Sequence, residues 1–180
     1  MNERVYSSGV DKLRSAERIE RLEVERVVDL CLKEKGINSV LDVGTGSGVF
    51  AEAFFKRNLL VSGIDPNPEM IEAAKSYLPD CNFKLASAEV LPFDDKSFDM
   101  VFMGLVLHEV DDYKKVIDEA KRVAVKQIAV LEWNYIVQQI GPPLEHRLKP
   151  EFLKHLSIGA GINSFEILPL TNLSLYLLKI

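Results

Sequence analysis

A chain of 180 residues has room for one domain built on a single sizeable core. Its residues are 47% hydrophobic and 27% charged, the balance of a globular domain rather than a disordered segment, and no apolar run reaches the ~20 residues of a membrane span. A formal net charge of −5 argues against a broad phosphate-neutralising surface, and so against nucleic acid as a partner.

The N-terminus lacks the apolar core of a signal peptide, which makes the cytoplasm the expected compartment. From Ser15 onward Ile19, Leu22, Val24, Val27, Val28, Cys31 and Leu32 recur at helical spacing, and Gly36 supplies a stop. The short polar stretch before Ser15 reads as a flap over a ligand, touched by Tyr6 or Arg14, or as a frayed terminus. Residues 39–43 are apolar and β-branched, as in a buried strand, and residues 44–48 form a glycine turn. A helix over 49–57 and a strand over 59–64 follow. Asn67 caps the next helix, with Pro68 at its first position. Strands are expected over 82–85, 98–103 and 127–133, with a helix between the last two capped by Asp111 or Asp112. After a helix over 150–158 come two strand-like runs, 164–170 and 173–180, separated by Thr171-Asn172. So tight a connection makes that last pair antiparallel. The alternation before it predicts a parallel sheet with helices on both faces. Cys31 and Cys81 lie in apolar segments with no partner at metal-ligand spacing, so they read as packing residues and no metal is expected.

The segment LDVGTGSG, residues 41–48, carries the strongest site signal. Glycines between a strand and a helix let a ligand approach bare backbone and the N–H groups of the helix start. Gly44, Gly46 and Gly48 give G-x-G-x-G and not the G-x-G-x-x-G of dinucleotide sites. Asp42 stands just before them. Its charge would repel a pyrophosphate and attract a sulfonium, which disfavours a nicotinamide-dependent oxidoreductase. Asp65, about 20 residues on, is placed to bind two ribose hydroxyls, or else to act as an ordinary helix N-terminal acid. Met70 packs either on an adenine or in the core.

Four stretches in order, VLDVGTGSG, GIDPNPEMIEAA, ASAEVLPFDDKSFDMVF and LVLHEVDD, resemble the successive motifs of class I S-adenosylmethionine-dependent methyltransferases, in particular the ubiquinone/menaquinone-biosynthesis-type methylases. The resemblance covers residues 39–133 and extends through the terminal hairpin. It implies a seven-stranded Rossmann-like α/β sheet of order 3-2-1-4-5-7-6, with strand 7 antiparallel and helices on both faces. It also implies S-adenosylmethionine as cofactor and S-adenosylhomocysteine as product. Gly44, Thr45, Gly46 and Gly48 would hold the methionine moiety and Asp65 the ribose. Pro66, Met70, Ser87, Ala88 and Glu89 would lie along the nucleoside, and Met103 and Gly104 at the methionine end. Two features depart from the family pattern. Ser87 stands where an Asp or Asn usually accepts the adenine amino group, and the usual Lys-Pro-Gly-Gly loop before strand five is shortened to Val125-Lys126-Gln127.

Residues 134–149 follow strand five at the end where open α/β sheets bind ligands. Trp133, Tyr135, His146 and Arg147 are the candidate acceptor-binding residues, against the alternative of a packed connector. His108 is the candidate general base, with Glu109 or Glu132 behind it. The expected partner is a small-molecule methyl acceptor, and the sequence carries no signature of oligomeric state. The expected organisation is one methyltransferase domain over 1–180. It comprises an N-terminal helical segment (1–35), a cofactor-binding core (39–133), an acceptor loop (134–149), and a helix with a C-terminal hairpin (150–180). The alternative to an enzyme is a non-catalytic module or partner subunit that binds the same cofactor.

Overall fold

The computed structural model describes residues 9–180, so Tyr6 lies outside the described residues. Three short helices open the described residues: α1 (Val10–Leu13), α2 (Ala16–Arg21) and α3 (Val24–Cys31). The single helix expected from the periodicity is therefore broken. The break falls at Glu23, whose φ is +50°, in the left-handed region. The cause is tertiary: the Glu23 carboxylate accepts the backbone N–H of Thr171 at 2.7 Å, a partner the local pattern does not contain. Gly36 does not stop this helix, which ends at Cys31 with Leu32 as cap; instead it turns the chain, at φ +83°, toward the first strand.

The alternation then proceeds as read: β1 (Ser39–Val43), α4 (Val49–Phe55), β2 (Leu60–Asp65), α5 (Pro68–Tyr77), β3 (Asn82–Leu85), β4 (Phe98–Gly104), α6 (Tyr113–Val123), β5 (Ala124–Trp133), α7 (Pro150–Gly159), β6 (Ser164–Pro169) and β7 (Leu173–Lys179). Asn67 caps α5 by accepting from the Glu69 N–H, and Asp112, rather than Asp111, caps α6 by accepting from Lys115. Strand β5 starts immediately after α6. Residues 125–127 are therefore part of the strand and not a shortened loop, with Gln127 opposite Met100 of β4.

The seven strands run in the order β3-β2-β1-β4-β5-β7-β6, and β7 is antiparallel to both β5 and β6. This is the expected Rossmann-like sheet. Alternation of side chains along β4 and β5 feeds two apolar layers. On one face Met100, Phe102 and Leu131 pack with Val27 and Val28 of α3 and with Phe50 and Phe54 of α4. The Phe102 ring sits 4.7 Å from that of Phe50 and 5.3 Å from that of Phe54. On the other face Val101, Met103 and Val130 meet Val116, Ile117 and Ala120 of α6 and Leu153 of α7. Cys31 is buried in the first layer and Cys81 packs partly against it. No helix among the described residues is long and apolar enough to cross a membrane.

Candidate active site

The parallel strands all end on one edge of the sheet, and above it opens a cavity of about 860 Å³. The glycine turn forms its floor. Gly44 and Gly46 take φ of +67° and +53°, conformations that side chains resist. A Cβ on Gly44 would fall 2.3 Å from Cγ2 of Val106, a wall residue of the cavity, so the turn stays bare for steric reasons as well. Asp65, at the tip of β2, lines the cavity beside it. Its Oδ2 accepts the Gly46 N–H at 2.9 Å and its Oδ1 accepts the Asn67 N–H at 2.8 Å. Burial raises the Asp65 pKa against the pull of those two N–H groups. Each oxygen retains a lone pair for a ligand hydroxyl.

Pro66, Met70, Ser87, Ala88, Glu89, Gly104, His108, Trp133 and His146 continue the lining. The Ser87 hydroxyl donates to Glu89 Oε2 at 2.8 Å, which leaves its own oxygen facing other groups as an acceptor.

Six expected site residues lie elsewhere. Asp42 is buried beneath the turn, accepting from Thr45 Oγ1 at 2.7 Å. Desolvation pushes its pKa up to about 7, opposed by the hydrogen bonds from Thr45 and from the Ala51 backbone. It braces the turn from beneath through Thr45. Thr45 is its buried partner. Gly48 caps α4 at φ +81°, against Ala74. Met103 points to the wrong face, since its alternation with Gly104 puts its side chain in the apolar layer under α6. Tyr135 carries the Lys149 ammonium 5.3 Å over its ring and is no part of the lining. Arg147 is buried, and its guanidinium donates to the carbonyls of Asn134, Ile136, Ile140 and Pro142. It staples the loop that supplies part of the wall.

Gly141, Pro142 and Pro143 of the expected acceptor loop also line the cavity, as do Leu13 of α1, Arg18 and Arg21 of α2, and Leu22. The second group was not singled out as site residues in the sequence, because it had only a weakly amphipathic pattern. Arg14, expected to touch the cofactor, instead donates to the Ser47 carbonyl at 2.8 Å, pairs with Glu52 and lies 3.6 Å over the Tyr77 ring. Among the described residues no group of three His, Cys, Asp or Glu is arranged to hold a metal.

Residues 41–127, just under half of the chain, match the model of the methyltransferase domain family. The matched segment contains the glycine turn and, from Leu41 of β1 onward, four of the seven strands of the sheet, β1 to β4. Among particular relatives, the chain is similar to a demethylmenaquinone methyltransferase of Thermotoga maritima, 33% identical over 112 residues, which cover 60% of this chain and 48% of that protein. It is similar also to the uncharacterized methyltransferase YcgJ of Bacillus subtilis, 32% identical over 123 residues, 66% of this chain and 46% of that one. The chain thus spans under half the length of these curated relatives. A crystal structure of an S-adenosylmethionine-dependent methyltransferase from Aquifex aeolicus superposes with a TM-score of 0.80 at 26% identity, covering 94% of this chain and 95% of that one.

Proposed function

We propose that the chain transfers a methyl group from S-adenosylmethionine to a small-molecule acceptor by in-line displacement. The observation that carries this reading is the Asp65 carboxylate facing the cavity beside the bare backbone of Gly44 and Gly46. A cavity of about 860 Å³ is within the range of small-molecule sites and leaves space for an acceptor beside the cofactor. The cofactor, when bound, supplies a methyl group on a positively charged sulfur. The chain's own residues position and desolvate. The turn backbone at Gly44 and Gly46, with Gly104, holds the methionine end, and Asp65 takes the ribose. Pro66, Met70 and residues 87–89 flank the base, with the Ser87 oxygen in place of the Asp or Asn oxygen usual in the family. His108, Trp133 and His146 form the acceptor end.

Displacement at a sulfonium needs little covalent help, so orientation and exclusion of water supply much of the acceleration. Because Asp42 is buried and titrates near neutrality, the choice of this cofactor over a dinucleotide rests on the G-x-G-x-G spacing rather than on the Asp42 charge. The Thermotoga relative, named as a demethylmenaquinone methyltransferase, supports a small-molecule acceptor.

Calorimetry tests the reading. S-adenosylhomocysteine is expected to bind in the micromolar range and NAD not at all, and the reverse pattern rejects it. A protein that binds S-adenosylhomocysteine yet labels nothing in a metabolite extract given radiolabelled methyl donor is the non-catalytic module instead.

A further inference from the structure

One buried carboxylate spends both of its oxygens on a single residue. Glu132, 1% exposed near the carboxyl end of β5, turns Oε1 to the backbone N–H of His108 at 3.2 Å. Its Oε2 lies 2.8 Å from Nδ1 of the same residue. A backbone N–H only donates, so Glu132 Oε1 meets residue 108 as an acceptor, and an Oε2 that accepts as well takes its proton from Nδ1. In a neutral ring that pairing would put the proton on Nδ1 and the lone pair on Nε2. Residue 108 lies in the 3-10 turn Leu107–Glu109 that follows β4. Its ring lines the acceptor end of the cavity, with Glu109 Oε1 3.9 Å from Nε2. Burying a carboxylate is costly unless it is fully hydrogen-bonded, and here its hydrogen bonds fix the orientation and tautomer of one cavity side chain.

Building on the methyltransferase reading, we propose that Glu132 is a positioning residue that makes His108 Nε2 the proton acceptor of the transfer. The acceptor is accordingly a protic nucleophile, a hydroxyl or an enol. Its proton passes from oxygen to Nε2. The electron pair left behind forms the new bond to the methyl carbon, and the carbon–sulfur pair stays on sulfur. The positive charge that enters on the sulfonium leaves on the imidazolium, flanked by Glu132 and Glu109.

The test is long-range proton–nitrogen NMR of the 15N-labelled full chain, with and without S-adenosylhomocysteine. The chain has three histidines, and His108→Gln assigns the signals of His108 by their loss. The expected neutral ring is protonated at Nδ1. Glu132→Gln puts an amide donor where one of the two acceptors was, so the ring proton is expected to move to Nε2. A wild-type ring protonated at Nε2 overturns the proposal without any variant having to fold, and so does a Glu132→Gln ring that keeps its proton on Nδ1. With labelled methyl donor, phenols and enols are expected to be methylated in preference to thioethers and tertiary amines. Glu132→Gln is expected to slow that transfer roughly 10²–10⁴-fold while its affinity for S-adenosylhomocysteine stays unchanged. Equal labelling of aprotic acceptors, or an undiminished rate in Glu132→Gln, overturns the proposal. Failure of the wild-type protein to bind S-adenosylhomocysteine removes the methyltransferase reading instead, and the tautomer measured without ligand still stands.

Discussion

Asp42 and Asp65 both hold the glycine turn, one from beneath and one from the cavity. Asp42 accepts from Thr45, and burial raises its pKa from an ordinary 3.8 to about 7. The folded protein therefore binds this proton more tightly than the unfolded chain does. The stability it contributes is fully present below pH 3.8 and is lost as pH rises to about 7. Asp42→Asn is expected to flatten the fall of melting temperature across that window, and parallel curves for the two proteins would reject the assignment. Asp65 is the carboxylate available to a ligand. Asp65→Ala is expected to weaken S-adenosylhomocysteine by roughly 1.5–3 kcal/mol, the worth of charged hydrogen bonds, and an unchanged calorimetric affinity would take the ribose role away. At this scale the sequence was informative where chemistry follows residue type and position in the chain. It was uninformative about Asp42, because nothing local says which of two nearby acids is covered by the turn.

The loop of residues 134–149 owes its shape to one side chain. Arg147 donates to four backbone carbonyls and to Gln138, and its guanidinium lies 5.6 Å over the Trp133 ring. A planar fork with five donors serves all four carbonyls at once. Arg147→Ala is expected to cost about 2–3 kcal/mol in urea denaturation, toward the upper end of single substitutions. Arg147→Lys, a single ammonium, is expected to recover only part of it. An Arg147→Ala protein as stable as the parent would mean that the loop holds itself. Elements with strong periodicity were legible in the sequence: α5 with its Asn67 cap, α6, and the β6–β7 hairpin. The break at Glu23 was not legible, because its cause lies across the molecule at Thr171.

Arg14 links α1 to the Ser47 carbonyl, to Glu52 of α4 and to Tyr77 of α5. Removing that link is expected to loosen the part of the cavity wall that α1 and α2 supply and leave the sheet intact. Arg14→Ala should accelerate amide hydrogen exchange over residues 9–22 while the amides of β1, β4 and β5 keep their protection. Exchange that rises evenly through the chain would contradict this. The antiparallel last pair was foreseeable from the short Thr171-Asn172 connection, whereas the strand order was only what the resemblance of four successive motifs implied. The glycine turn and Asp65 were foreseeable from residue type and spacing along the chain. Only the tertiary structure decided that Met103 faces α6, that Arg147 serves the loop, and that Glu132 reaches His108. Each of these depends on which face of a strand is covered and on which distant atoms satisfy a buried polar group, and those are properties of packing that no single stretch of sequence contains.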